Sequence, residues 1–236
     1  VKLIECGSNL GDFILSLPVL SGLFKQYGKL SLVLKSDNKV NVLGLKELLL
    51  YQDIFDNVLF DFEEKNLKGY HFFCSGLSKE SSNTQFRPLE TCKFENFFRN
   101  NYNFKFEVDD NFKLKVPLEG KKEEKYICGD RWHKANDRRR DVEILKKFSF
   151  LKFLDFDKPI LENASLIKNS DKPFITTFTG IAVLANLMYK DTIIIYDNGV
   201  KNWNGWTFEK TCQSAFYLNR NIKFIHIDNF NESCLL

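Results

Sequence analysis

The stretch that decides the fold opens the chain: Val1-Lys2-Leu3-Ile4-Glu5-Cys6-Gly7-Ser8-Asn9-Leu10-Gly11-Asp12-Phe13-Ile14-Leu15-Ser16-Leu17-Pro18-Val19-Leu20. Val1 to Cys6 is a β-type run that stops at Gly7-Ser8-Asn9, and apolar residues then recur at helical spacing from Leu10 to Tyr27. Gly28 suits the C-cap of that helix. Pro18 has no amide hydrogen to give a helix interior, so the helix either kinks there or starts at Ser16. Leu30 to Leu34 supplies a second strand. Strand, helix, strand is a βαβ unit, which implies a parallel sheet with the loop after the first strand at its carboxyl edge.

The alternation continues outward from this unit. Val42 to Tyr51 reads as a helix, Asn57 to Phe62 and Tyr70 to Cys74 as strands, and Glu90 to Tyr102 as a helix. Phe112 to Val116 reads as a strand leading into Pro117. Leu118 to Lys125 (LEGKKEEK) is charged, carries a glycine and follows a proline, so it reads as a linker. A second alternating series begins at Tyr126 to Cys128. It runs through a helix at Val142 to Phe150, a strand at Phe153 to Phe156 and a short helix or turn at Ala164 to Asn169. A strand at Phe174 to Thr177, a helix at Thr179 to Tyr189 and a strand at Thr192 to Tyr196 follow, then a helix near Phe208 to Leu218 and a strand at Ile222 to Ile227. The expected class is α/β with two Rossmann-like halves, residues 1–118 and 119–236.

Composition narrows the function classes. A chain of 236 residues with 44% hydrophobic and 28% charged residues can bury a sizeable core. Phenylalanine occurs 24 times and methionine once, a bias that AT-rich coding explains and that fills cores with phenylalanine. Thirty-four basic residues nearly cancel thirty-one acidic ones, so the net charge of +3 creates no field of the kind a nucleic-acid coat protein carries. No run approaches the roughly 18 apolar residues that span a bilayer, and the amino terminus lacks the regions of a signal peptide. The six cysteines include no Cys-x-x-Cys pair, so they read as reduced thiols of a cytoplasmic protein. His71, His133 and His226 are far apart, and no ligand spacing suggests zinc. Neither a Walker loop nor a Gly-x-Gly-x-x-Gly fingerprint is present, which sets aside ATPase and dehydrogenase chemistry.

Gly11-Asp12, the following apolar residues, Pro18, Leu20, Leu23 and Phe24, with Ser8 before them, resemble the amino-terminal motif of the heptosyltransferases and their relatives among ADP-heptose:lipopolysaccharide transferases. That resemblance implies a compact GT-B fold: an amino-terminal acceptor half, a carboxyl-terminal donor half and a site in the cleft between them. It implies a metal-independent glycosyltransferase with no cofactor, using a nucleotide-diphosphate sugar as co-substrate. Asp12 takes the role of general base on the acceptor hydroxyl, and Ser8, Asn9 and Gly11 line the acceptor side. The residue chemistry is compatible, because a base must lie within hydrogen-bond reach of the hydroxyl it deprotonates. An aspartate in the first turn of a helix also has a simpler use as a cap that the helix dipole favours.

Thr176-Thr177-Phe178-Thr179-Gly180-Ile181-Ala182-Val183-Leu184-Ala185 resembles the family's donor loop, where an Asp-Ser/Thr-Gly-x-x-His-Leu-Ala pattern opens a helix that binds the diphosphate. Thr179, Gly180, Leu184 and Ala185 match; Phe178 and Val183 stand where the family has aspartate and histidine. Exposed amides at a helix start suit phosphate, and an ordinary turn with a threonine cap is the structural alternative. Cys128-Gly129-Asp130-Arg131-Trp132-His133-Lys134, with Arg138 to Arg140 beyond, occupies the first βα loop of the second half. Arg131, Lys134 and Arg138 are the candidates there for the diphosphate, since guanidinium pairs bidentately with phosphate oxygens. The expected acceptor is a glycan or lipid-linked glycan. Two alternatives stand beside it: a viral enzyme that glycosylates a flipped, modified DNA base, and a non-catalytic protein that kept the fold.

Overall fold

The computed structural model of the protein describes residues 1–5, 10–35, 43–73, 87–118, 122–129, 145–196 and 208–235. Its amino-terminal sheet contains β1 (Lys2–Glu5), β2 (Leu30–Leu34), β3 (Phe55–Phe60) and β4 (His71–Phe73), in the order β3-β2-β1-β4 with every pairing parallel. Around it lie α1 (Leu10–Ile14), α2 (Leu17–Tyr27), α3 (Leu45–Leu50) and α4 (Leu89–Tyr102). The second sheet contains β5 (Tyr126–Gly129), β6 (Leu151–Phe153), β7 (Phe174–Thr177), β8 (Thr192–Tyr196) and β9 (Ile222–His226), ordered β6-β5-β7-β8-β9 and again parallel. Its described helices are α5 (Ile160–Asn169), α6 (Gly180–Leu187) and α7 (Phe208–Ala215). Both are doubly wound, so strand order reverses between β1 and β4 in one sheet and between β5 and β7 in the other. Open α/β sheets bind ligands at the carboxyl end of such switch points.

The long helix expected from Leu10 to Tyr27 is two helices. The chain breaks at Leu15-Ser16, where the Ser16 hydroxyl donates to the Phe13 carbonyl at 2.7 Å, and restarts with Pro18 in the first turn of α2. Proline is tolerated there because first-turn amides have no intrahelical acceptor. Four other expectations need correction. Phe112 to Val116 is extended but joins neither sheet: the Leu114 amide donates to the Leu187 carbonyl at the end of α6 (2.8 Å), and Lys115 exchanges both backbone bonds with the Gln52 side chain (2.8 and 3.0 Å). The strand expected at Phe153 to Phe156 is Leu151–Phe153, and of the helix expected at Val142 to Phe150 residues 142–144 lie outside the described residues, Leu145 is helical and residues 146–150 are not. Finally, α5 starts at Ile160, four residues early, because Pro159 occupies its N-cap position.

One continuous apolar cluster runs through both sheets, from Leu3, Phe13 and Leu34 to Phe174, Leu184 and Leu187. A smaller cluster covers the opposite face of the second sheet with Ile175, Ile193, Ile195 and Ile225; Ile194, one residue out of step, points into the larger one. The joint between the sheets is α6. Every residue from Ile181 to Leu187 is buried, the signature of a helix with core on all sides. Its single amide side chain, Asn186, is satisfied by both backbone groups of Tyr217 (2.9 and 3.2 Å).

Residues 104–118 strap the two sheets together. Asp109 receives the Ser21 hydroxyl (2.7 Å) and pairs with Lys25 (2.9 Å), while its own amide donates to the Pro18 carbonyl (3.0 Å). Asp110 binds Arg87 through its carboxylate and Arg220 through its carbonyl (2.6 Å), and the Arg220 guanidinium lies over the rings of Tyr189 and Tyr217 at 4.2 and 4.0 Å. The described cysteines are free thiols. Burial, with Glu209 nearby, pushes the Cys212 thiol up to about 12, which leaves it inert at neutral pH. Cys6 and Cys74 lie outside the described residues. Among the described residues, no helix is long and apolar enough to cross a membrane.

The strap passes so close to α2 that a β-carbon on Gly22 would lie 2.1 Å from the Glu107 carbonyl oxygen. Backbone would have to move to admit it. Gly22→Ala is expected to cost about 1–3 kcal/mol, as overpacked cores do. Calorimetric unfolding checks this, the expected result being a midpoint several degrees lower.

Candidate active site at two facing helix starts

Both switch points carry a short loop into a helix, and the two helix starts meet. A β-carbon built on Gly11 of α1 would lie 3.2 Å from the Gly180 Cα of α6; one on Gly180 would lie 3.1 Å from the Gly11 nitrogen and 3.4 Å from its Cα. These backbone-to-backbone approaches are tighter than most β-carbons make, so a side chain at either position would require the facing backbone to give by a few tenths of an ångström. Asp12, partly buried in the first turn of α1, therefore lies one residue from the start of α6. It stands inside the helix rather than at the cap position.

The start of α6 is built to leave donors unused. Thr179 is extended (φ −139°, ψ 171°), and its carbonyl accepts the amides of Ala182 (3.0 Å) and Val183 (3.4 Å). The amides of Gly180 and Ile181 then have no acceptor within the helix. Thr179 makes no side-chain cap bond, and its buried Oγ1 has no hydrogen-bond partner among the described residues. The threonine-cap alternative is therefore not what this residue does. A buried hydroxyl without a partner costs about 1–3 kcal/mol, a deficit that an acceptor arriving at the helix start would relieve.

The basic loop leaves the sheet beside this point. Gly129, the last residue of β5, is in register with Thr176 of β7, whose hydroxyl donates to the Gly129 carbonyl at 3.1 Å. A β-carbon on Gly129 would meet the Phe174 ring at 2.9 Å and Ile181 of α6 at 3.2 Å, so glycine is required by packing. Arg131, Lys134 and Arg138 follow directly in sequence but lie outside the described residues, as do Ser8 and Asn9. Phe178 and Val183 are core residues: both are buried, and the Phe178 ring packs edge-on against Phe216 at 5.0 Å.

Three groups at the same edges escaped the sequence reading. Glu5, the last residue of β1, is fully buried, although it sits in a run whose only visible signal was β-type alternation. Tyr196 and His226 end β8 and β9 in register, with ring centroids 5.3 Å apart and nearly perpendicular. Nothing in their spacing along the chain marks them as neighbours. His71, by contrast, is packed against Tyr102 and Phe104 (4.5 and 5.1 Å), away from the facing helix starts. Among the described residues, no three His, Cys, Asp or Glu side chains are grouped to hold a metal ion. A surface hollow of about 430 Å³ lies at the other edge, at the amino ends of β8 and β9 near Asp191 and Asn221, remote from both switch points.

The arrangement of the whole chain matches solved glycosyltransferases. The E. coli heptosyltransferase WaaC, in a structure with ADP, superposes with a TM-score of 0.58 over 99% of this chain and 97% of that one, at 10% identity. This is the GT-B fold. A glycosyl transferase of family 9 from Veillonella parvula gives a TM-score of 0.57 over 95% and 85% of the two chains at 10% identity. The E. coli ADP-heptose LPS heptosyltransferase II gives 0.55 over 95% and 89% at 12% identity. No protein-family model and no curated protein sequence matches the chain. At such identities the likeness establishes the fold, and the chemistry has to be argued from the residues.

The unpartnered Thr179 hydroxyl gives a test that separates stability from binding. Thr179→Val keeps the shape and removes the orphaned group, so the ligand-free melting temperature is expected to hold or rise. Affinity for a nucleoside diphosphate is expected to fall roughly fivefold, the equivalent of one hydrogen bond of about 1 kcal/mol. Thermal melts and calorimetric titration on the same preparation check both halves of the expectation.

Proposed function

We propose that the protein is a metal-independent glycosyltransferase that moves a sugar from a nucleotide-diphosphate sugar to the hydroxyl of a glycan or lipid-linked glycan in the cytoplasm. The observation that carries this is the contact of Gly11 with Gly180. It brings the helix turn that carries Asp12 against the start of α6, which supports a base and an anion site working together. In this reading residues 1–118 form the acceptor half and residues 119–236 the donor half.

The chemistry is a direct displacement. The acceptor oxygen forms a bond to the anomeric carbon as the bond from that carbon to the diphosphate oxygen breaks. Asp12 takes the proton that the acceptor hydroxyl loses, and Ser8, Asn9 and Gly11 shape the acceptor side. The diphosphate leaves with more negative charge than it carried in the donor. The amides of Gly180 and Ile181, the Thr179 hydroxyl and the positive end of α6 stabilise that charge where it develops. Arg131, Lys134 and Arg138 add paired cationic donors from the neighbouring strand end. The nucleoside end of the donor runs along the same edge toward Tyr196 and His226.

A second reading, a binding protein without catalysis, is favoured by one observation: Phe178 and Val183 are packed apolar side chains where the resembling family has ionisable ones. The two readings part on turnover. Asp12→Asn is expected to keep the fold and nucleotide binding and to lower transfer by about 100-fold or more, and transfer is expected to persist in EDTA. Thermal-shift screening against nucleotide-diphosphate sugars selects the donor, and radiolabelled transfer from it measures the rate. Near-normal turnover of a folded Asp12→Asn variant removes Asp12 as base; donor binding with no turnover by the wild type selects the binding protein.

A further inference from the structure

The last row of the first sheet at its carboxyl edge reads Phe60, Leu34, Glu5 and Phe73 across β3, β2, β1 and β4. Register partners in a parallel sheet project to one face. Phe73 packs on Phe13 of α1 at 6.4 Å, and the Lys46 amine of α3 lies over the Phe60 ring at 5.8 Å. Since α1 touches α6 and α3 touches α5, this face looks toward the second sheet. Phe62, two residues beyond Phe60, stacks on it in parallel (5.5 Å, 9° between planes) and carries the row past the edge. Its outer face is open: at 71% it is the most exposed large apolar side chain among the described residues.

A lone exposed phenylalanine is ordinary, but this one is held in a built turn. Glu63 accepts the Phe60 amide at 2.7 Å and pairs with Lys46 at 3.2 Å, while its own amide donates to the Phe60 carbonyl at 2.9 Å. Glu64 accepts the Asn66 amide and the Tyr70 hydroxyl, each at 3.0 Å. These bonds hold both carboxyls below the usual glutamate range, the Phe60 amide and then Lys46 acting on Glu63, the Asn66 amide and then Tyr70 on Glu64. Along the chain the ring is thus flanked by Asp61, which pairs with Lys35 at 3.9 Å, on one side and by two ionised glutamates, one of them paired with Lys46, on the other.

A flat apolar surface rimmed by strong hydrogen-bond acceptors fits a ligand with one C–H face and a border of hydroxyls. We propose that Phe62, backed by Phe60, is a stacking platform for an uncharged sugar ring of the acceptor. This rests on the glycosyl-transfer reading, and it places the platform on the same sheet edge as Asp12. Neighbouring strands lie about 4.8 Å apart, so β3 stands roughly 10 Å from β1, the distance of a ring beyond the one that reacts.

The test titrates maltotriose, cellotriose, triacetylchitotriose and a thymidine oligonucleotide into the wild type, Phe62→Ala and Phe62→Trp by calorimetry, with ADP as the probe of the other half. Phe62 is exposed, so neither substitution burdens the core. At least one trisaccharide is expected to bind the wild type and Phe62→Trp. Phe62→Ala is expected to weaken it about tenfold or more, the scale of a lost aromatic stack, with ADP affinity unchanged. The platform is overturned if no trisaccharide binds the wild type, if binding survives Phe62→Ala undiminished, or if the oligonucleotide is the ligand that Phe62→Ala weakens. Should ADP and nucleotide sugars bind none of the three proteins while trisaccharide binding still depends on Phe62, the transfer reading falls and the platform stands.

Discussion

Two glycines in van der Waals contact, Gly11 and Gly180, set the spacing on which the rest of this molecule depends. Packed helices ordinarily keep their axes 8–10 Å apart because side chains fill the gap. Here α1 and α6 meet backbone to backbone at their first turns. A β-carbon at either position would press on the facing backbone. Without β-carbons, both residues let the turn that carries Asp12 approach the start of α6 this closely.

That contact is held from the far end of the same helix. The carbonyl of Leu187 accepts from Leu114, and Asn186 is fixed by the backbone of Tyr217, so α6 cannot slide along its axis without breaking buried hydrogen bonds. The strap adds charge to this. Arg87 is pinned between Asp110 and Glu95, and Asp110, the stronger influence, raises its pKa above the ordinary guanidinium value. Burial lowers that of Arg220, which the flanking tyrosines and Asp110 only partly offset. Arg220 is thus a guanidinium held largely by ring faces and a single carbonyl, at the amino edge of the second sheet and well away from the facing helix starts.

The fold was legible in the sequence wherever local pattern and tertiary fate agree. Val1 to Leu34 reads as a βαβ unit because apolar periodicity, Gly28 and Pro18 all speak to neighbours within a few residues. Phe112 to Val116 misled for a definite reason: apolar alternation reports burial on one side, while strand pairing depends on what lies alongside. What lies alongside is Gln52 and the end of α6. Of the candidate site, Asp12, Thr179 and Gly180 could be picked out as candidates because their motifs sit at strand-to-helix junctions. Glu5 and Phe62 were not, because one is buried and the other exposed by where a strand happens to end, and no periodicity encodes that. The meeting of Gly11 with Gly180 is non-local and leaves no trace in either segment alone.

The burial of α6 on all sides has a consequence for cooperativity. A helix reading Gly-Ile-Ala-Val-Leu-Ala-Asn-Leu has almost nothing to offer water, so it belongs to neither sheet separately. Pulling the sheets apart would strand it with its apolar surface uncovered, at a cost of roughly 25 cal/mol for each Å² exposed. The two sheets are therefore expected to melt as one unit. Damage to the packing of either sheet is felt by both, and neither, expressed without the other, retains a complete core.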